Sequence, residues 1–164
     1  MLKTPCMSDV TGMRKDLKPS EVRARVLDEH VQIRAILVEL ESLARRALDG
    51  DTHGGAQLRT KAVELCSTLD AHMSLEDALL YPAICDADAW GHVRGEQMKE
   101  DHVRQRAVIR QLVDFESRGD TVALVGALRR LATDIRDDMC SEERELLNPD
   151  LLRDDVISIA QNSG

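Results

Sequence analysis

The chain has 164 residues, enough for one domain with a full core and too few for two ordinary ones. Its apolar fraction of 43 % and charged fraction of 32 % belong to a folding chain rather than a disordered one. A net charge of −8 argues against nucleic acid and against an anionic membrane surface, and no apolar run approaches the ~20 residues of a transmembrane span.

Residues 1–18 are polar, with Pro5, Gly12 and Lys3, Lys15 and Lys18, and read as a flexible tail. They hold no apolar core of the kind a secretory signal needs, so the expected location is cytoplasmic. Pro19–Ser20 opens the first helix, with Ser20 as its N-cap. Its inward stripe runs Val22, Val26, His30, Ile33, Leu37, Leu40, Ala44, Ala47, and Asp49 through Gly55 is predicted as a loop. A second helix starts near Ala56 with the stripe Leu58, Ala62, Leu65, Leu69, His72, Glu76, Leu79. Pro82 marks its last turns or a kink, and Asp86 to about Gly91 is a connection.

The third helix carries Met98, His102, Gln105, Ile109 and Leu112 and ends near Gly119. The fourth starts near Asp120, a candidate N-cap, and carries Leu124, Leu128, Leu131, Ile135, Asp138, Glu142 and Leu146 before Pro149. A short amphipathic helix over Leu151 to Ala160 follows. Long amphipathic segments joined by short loops predict an all-α, antiparallel up-down-up-down four-helix bundle. The chain thus divides into a tail over 1–18, a bundle over 19–149, and a short C-terminal helix and tail over 150–164.

The chain also repeats itself. Asp28-Glu29-His30-Val31 with Arg34-Ala35 matches Glu100-Asp101-His102-Val103 with Arg106-Ala107 without a gap. His72 and Glu76 lie four apart on one helix face, as do Asp138 and Glu142, so the two halves share a His, then His/Asp-x-x-x-Glu pattern. Each of these residues occupies a place where an apolar core residue is expected. Burying ionised carboxylates costs several kcal/mol apiece, roughly, unless something compensates, and no Lys or Arg shares these stripes.

A cation would compensate, and imidazole nitrogen with carboxylate oxygen suits iron, manganese or zinc. The candidate metal ligands are therefore His30, His72, Glu76, His102, Asp138 and Glu142, a set too large for one closed zinc site. Taken singly, other readings stand: His30 as a satisfied core histidine, Glu76 paired with a surface arginine, Asp138 on the helix surface if the register is off by one. His53 and His92 fall off the stripes and are left out. Cys6, Cys66, Cys85 and Cys140 form no C-x-x-C pair and read as reduced, mostly buried thiols.

The stretch His72-Met-Ser-Leu-Glu76-Asp-Ala-Leu-Leu-Tyr81-Pro82 resembles the H-x-x-x-E-E-x-x-L-[YF]-P signature of the hemerythrin-like HHE cation-binding family. Glu29-His30, Asp101-His102 and Glu142-Glu143 with Leu146 and Pro149 resemble its other motifs, over about residues 21–149. The resemblance implies a non-haem di-iron centre. In it His30, His72 and His102 would be nitrogen ligands and Glu76 and Glu142 bridging carboxylates. Asp138 falls where the family has histidine. The further third-helix histidine of the marine oxygen carriers is not matched, since Met98 and Arg106 stand at that spacing.

The expected cofactor is iron, as two ions, with manganese or zinc as alternatives. The expected function is a metal-binding protein that binds or senses oxygen, nitric oxide, peroxide or iron. The alternatives are an iron-dependent peroxide-scavenging or ferroxidase-like enzyme, or a metal-free interaction bundle. A sensor or binding protein is preferred to an enzyme, because no separate acid–base or substrate pocket shows in the sequence. The expected partner is a small diatomic or peroxide ligand, with a homodimer left open.

Overall fold

The computed structural model describes residues 17–117 and 119–155, and every secondary-structure element among them is helical. Helix α1 spans Pro19–Leu48 and α2 spans Thr52–Leu75. A π-helical turn, Glu76–Leu80, leads without a break into α3, Tyr81–Ala87. Helix α4 spans Gly91–Ser117 and α5 spans Thr121–Glu145. The continuous run from α2 to α3 acts as one rod, so the fold is a bundle of four rods. Each packs on two others: α1 on α2 and α5, and α4 on α5 and on the α2–α3 rod.

Several helix ends differ from those the sequence suggests. Lys18, not Ser20, caps α1; its backbone N–H donates to the Glu21 carboxylate at 2.7 Å. The Ser20 hydroxyl instead donates to Asp154 at 2.8 Å, tying the start of α1 to the far end of the described chain. The loop expected over 49–55 is shorter, because the Asp51 side chain accepts from the Gly54 N–H at 3.0 Å and starts α2 at Thr52. Gly50, at φ +86°, makes the sharp turn before it.

The connection expected over 86–91 shrinks to Asp88–Trp90, because Pro82 sits in the first turn of α3, where its missing N–H is tolerated. The N-cap expected at Asp120 is present: its side chain accepts from the Ala123 N–H at 2.9 Å. Residues 151–155 form turns rather than the start of the expected short helix, and the rest of that segment, like the tail over 1–16, lies outside the described residues. Among the described residues no helix is long and apolar enough to cross a membrane.

The core comes in two separate apolar clusters. The larger contains Ile33, Leu37 and Leu40 of α1, Leu58, Leu65, Leu69 and Met73 of α2, Leu112 of α4, and Leu124, Leu128, Leu131, Ile135 and Met139 of α5. The smaller contains Val22 and Val26 of α1, Leu79 and Leu80 of the π-turn, Ile84 of α3, Met98 of α4, and Leu147 and Leu152 beyond α5. Each rod, the last together with the segment beyond α5, visits the two clusters in the reverse order of the rod before it. On every rod the buried polar residue lies at the changeover: His30, then His72 and Glu76, then His102, then Glu142. The polar residues thus form one layer between two apolar ones.

Of the described cysteines, all free, only Cys66 is buried; Cys85 is half-buried and Cys140 exposed. The expectation of mostly buried thiols therefore fails at Cys140, which faces outward from α5.

Candidate metal centre

The side chains of His30, His72, Glu76, His102 and Glu142 are the only buried polar or charged ones among the described residues. His72, in the last turn of α2, and Glu76, the first residue of the π-turn, share a face, as the four-residue spacing requires. One atom each from His30, His72, Glu76 and Glu142 can be chosen so that all lie within 4.8 Å of one another. The His72 Nε2 is 3.4 Å from Glu76 Oε1, and the His30 Nε2 is 3.3 Å from Glu142 Oε2. His102 joins from α4, its Nε2 3.1 Å from Glu76 Oε2. The His30 and His72 rings meet edge to face at 5.1 Å.

Each imidazole is held from behind by a carboxylate on a different rod. His30 Nδ1 bonds Glu143 Oε1 at 2.8 Å, His72 Nδ1 bonds Glu29 Oε2 at 2.9 Å, and His102 Nδ1 bonds Asp77 Oδ1 at 2.9 Å. An ionised carboxylate only accepts, so Nδ1 carries the proton and donates, and Nε2 faces the interior with a lone pair. Two of these carboxylates are gripped in turn: Arg34 donates to Glu143 at 2.7 Å and Arg106 to Asp77 at 3.2 Å. Arg34 and Arg106 follow their histidines at the same spacing in the repeat, so both halves build the same arginine–carboxylate–imidazole chain.

Sequence reasoning named the inward residues and missed Glu29, Asp77 and Glu143 as their supports. The signal was present, since each is the immediate neighbour of an inward residue. Each supports a histidine on another helix, however, and a single sequence does not display that pairing.

Asp138 is not brought into the group of four. On α5 the fully inward position belongs to Met139, while Asp138 is half-buried and accepts from the Gln105 amide. The π-turn ends as Tyr81 N–H bonds the Glu76 carbonyl five residues back, and it lets Glu76 face the interior while Asp77 reaches His102. His53 and His92 are exposed, as their off-stripe positions suggested. A cleft of about 80 Å³ between α4 and α5, lined by Met98, Asp101, Asp138 and Glu142, reaches the edge of the layer.

The electrostatics show a site short of positive charge. Burial raises the Glu76 carboxyl to about 8 against the pull of His30, and the Glu142 carboxyl to about 7 against the pull of His30 and His102. Burial, aided by the Glu142 charge, raises Asp138 to about 6. Burial also lowers His72 to about 3, with His30 and His102 adding to the effect. Burial works to lower His30 as well, but the neighbouring Glu142 and Glu143 carboxylates outweigh it and leave it raised.

The His30 Nε2 and Glu76 Oε1 atoms are buried with no hydrogen-bond partner. The 3.3 Å approach of Glu142 to His30 is therefore a contact outside hydrogen-bonding direction. An unsatisfied buried acceptor and unsatisfied ring nitrogen, among converging carboxylates, are what a cation would satisfy. The residues present fit a metal ion, and the cluster can hold one.

No curated protein and no solved structure matches the chain significantly. The Hemerythrin HHE cation binding domain matches residues 22–148, more than three quarters of the sequence. That span takes in both copies of the repeat, the inward layer and the carboxylates behind it, and the chain belongs to the hemerythrin HHE cation-binding domain family.

Proposed function

We propose that this protein is a hemerythrin-like metal-binding protein with a non-haem iron centre, built to bind or sense oxygen, nitric oxide, peroxide or iron. His30, His72 and His102 would hold the metal through Nε2, and Glu76 and Glu142 through their carboxylates. Asp138 would contribute from the edge. The observation that carries the reading is the pair of orphaned buried atoms, His30 Nε2 and Glu76 Oε1, inside a layer of imidazoles already oriented from behind. The alternating order in which the rods visit the two apolar clusters supports the up-down-up-down bundle that such a centre needs.

A bound iron ion supplies one-electron redox chemistry and coordination positions for a small ligand. This chain's residues do the rest. The carboxylates of Glu29, Asp77 and Glu143 fix the tautomer and aim of each imidazole. The apolar clusters above and below keep bulk water out, and the cleft beside Asp138 gives a small solute one way in.

Metal analysis after iron-replete expression, with absorption spectra in air and after reduction, tests the proposal. Bound iron whose spectrum changes with oxidation state and with added nitric oxide is the expected outcome. Glu76→Ala is expected to abolish it. A folded wild-type protein free of metal under those conditions sinks the reading and favours a metal-free interaction bundle.

A further inference from the structure

The two sides of the polar layer differ in what their inward atoms already touch. On the side of His30 and His72, the buried His30 Nε2 and Glu76 Oε1 have no hydrogen-bond partner. Donors from His30, His72, Glu76 and Glu142 converge there within 4.8 Å. On the other side His102 Nε2 is hydrogen-bonded to Glu76 Oε2 at 3.1 Å, and Asp138 accepts from Gln105. An ion on the first side satisfies atoms that have nothing. An ion on the second must displace hydrogen bonds already made.

The outer supports are unequal too. Glu29 precedes His30 in the repeat and orients His72 on the next rod. Asp101 precedes His102 in the same way, but position 138 has no imidazole N–H to give it. Asp101 pairs with Arg104 instead, and its charge works against that of Asp138. This side therefore lacks one of the carboxylate–imidazole supports that the repeat provides on the other, and such supports strengthen metal binding. The cleft of about 80 Å³ lies on this side, so water competes there as well.

We infer that the centre is unequal: one ion is held tightly by His30, His72, Glu76 and Glu142, and a second is held weakly and exchangeably by His102 with Asp138. The inference rests on the metal-binding reading above. An exchangeable second position makes occupancy respond to the free concentration of a divalent cation, with Asp138 setting the threshold.

The test loads the full chain anaerobically with excess Fe(II), desalts it against a weak competing chelator, and counts iron per chain beside a circular dichroism spectrum. Wild type is expected to keep one ion, the second leaving with an affinity at least about tenfold weaker. Asp138→His is expected to keep two, and Asp138→Ala one. Two ions kept with equal strength by wild type overturn the inference, as does loss of the tight ion in folded Asp138→Ala. No iron kept by folded wild type and folded Asp138→His alike overturns the metal-binding reading instead. Should Asp138→His not fold, Mn(II) titration of wild type followed by electron paramagnetic resonance decides: two classes of site support the inference, and one class overturns it.

Discussion

His30, His72 and His102 each commit one ring nitrogen to a carboxylate from another rod, which decides which nitrogen is left for a metal. Glu29 and Glu143 should therefore matter to metal binding although neither is among the converging donors. Glu29→Ala and Glu143→Ala are each expected to weaken iron binding by about 10- to 100-fold. Glu41→Ala, which removes only a surface pair with Arg136, should leave it unchanged. Competition against a chelator of known affinity measures all three. Equal affinities across the series would mean the imidazoles are oriented by packing alone.

The inward residues themselves were legible, because a histidine or glutamate at a core position conflicts with the apolar stripe around it. Asp138 was legible only to within one residue. Met139 fits the same stripe one step on, and periodicity cannot separate neighbours when both satisfy steps of three and four.

Among the elements, the long helices could be read from their stripes, while their junctions could not. Asp51 looked like part of a loop because a capping hydrogen bond to Gly54 is invisible to hydrophobic pattern. The π-turn was invisible for a different reason: Pro82 drew attention to itself, whereas the change in hydrogen bonding lies upstream at Glu76–Leu80. Of the described glycines, Gly91, at the junction between α3 and α4, leaves the least room for a side chain. A Cβ at Gly91 would lie 2.1 Å from the Ile84 carbonyl oxygen and 2.8 Å from that of Cys85.

Both obstacles are backbone, so Gly91→Ala must move one helix against the other. It is expected to destabilise the protein by about 1–3 kcal/mol, read as a lowered midpoint in urea. Gly55→Ala, where nothing lies within 4 Å, serves as the control and should not lower it. A Gly91→Ala midpoint equal to wild type would show that the junction gives way freely.

At the scale of the molecule, the polar layer couples stability to pH, and differently in the presence and absence of metal. In chelator-treated protein, Glu76 and Glu142 titrate near 8 and 7 when folded, against 4.5 as the ordinary value. The folded state then binds more protons than the unfolded one across that window, so stability present below 4.5 is lost as pH rises towards 8. His72 acts the other way, being lowered to about 3 from 6.5, so its contribution is present above 6.5 and lost as pH falls.

Above pH 6.5 the carboxylates and the raised His30 act in the same direction, and the melting temperature of metal-free protein should fall as pH rises to 8. Metal binding requires deprotonated ligands, so metal-loaded protein should gain melting temperature relative to metal-free protein across the same window. Calorimetry at a few pH values checks both, and parallel curves with and without metal would contradict the account.

The layer draws on all four rods at one height, so metal seated across it would bolt four staves together. Sliding or turning any one stave withdraws a donor from the grip. By reciprocity, whatever loosens a stave at the surface must lower occupancy at the centre, and a filled centre must resist that loosening by the same free energy.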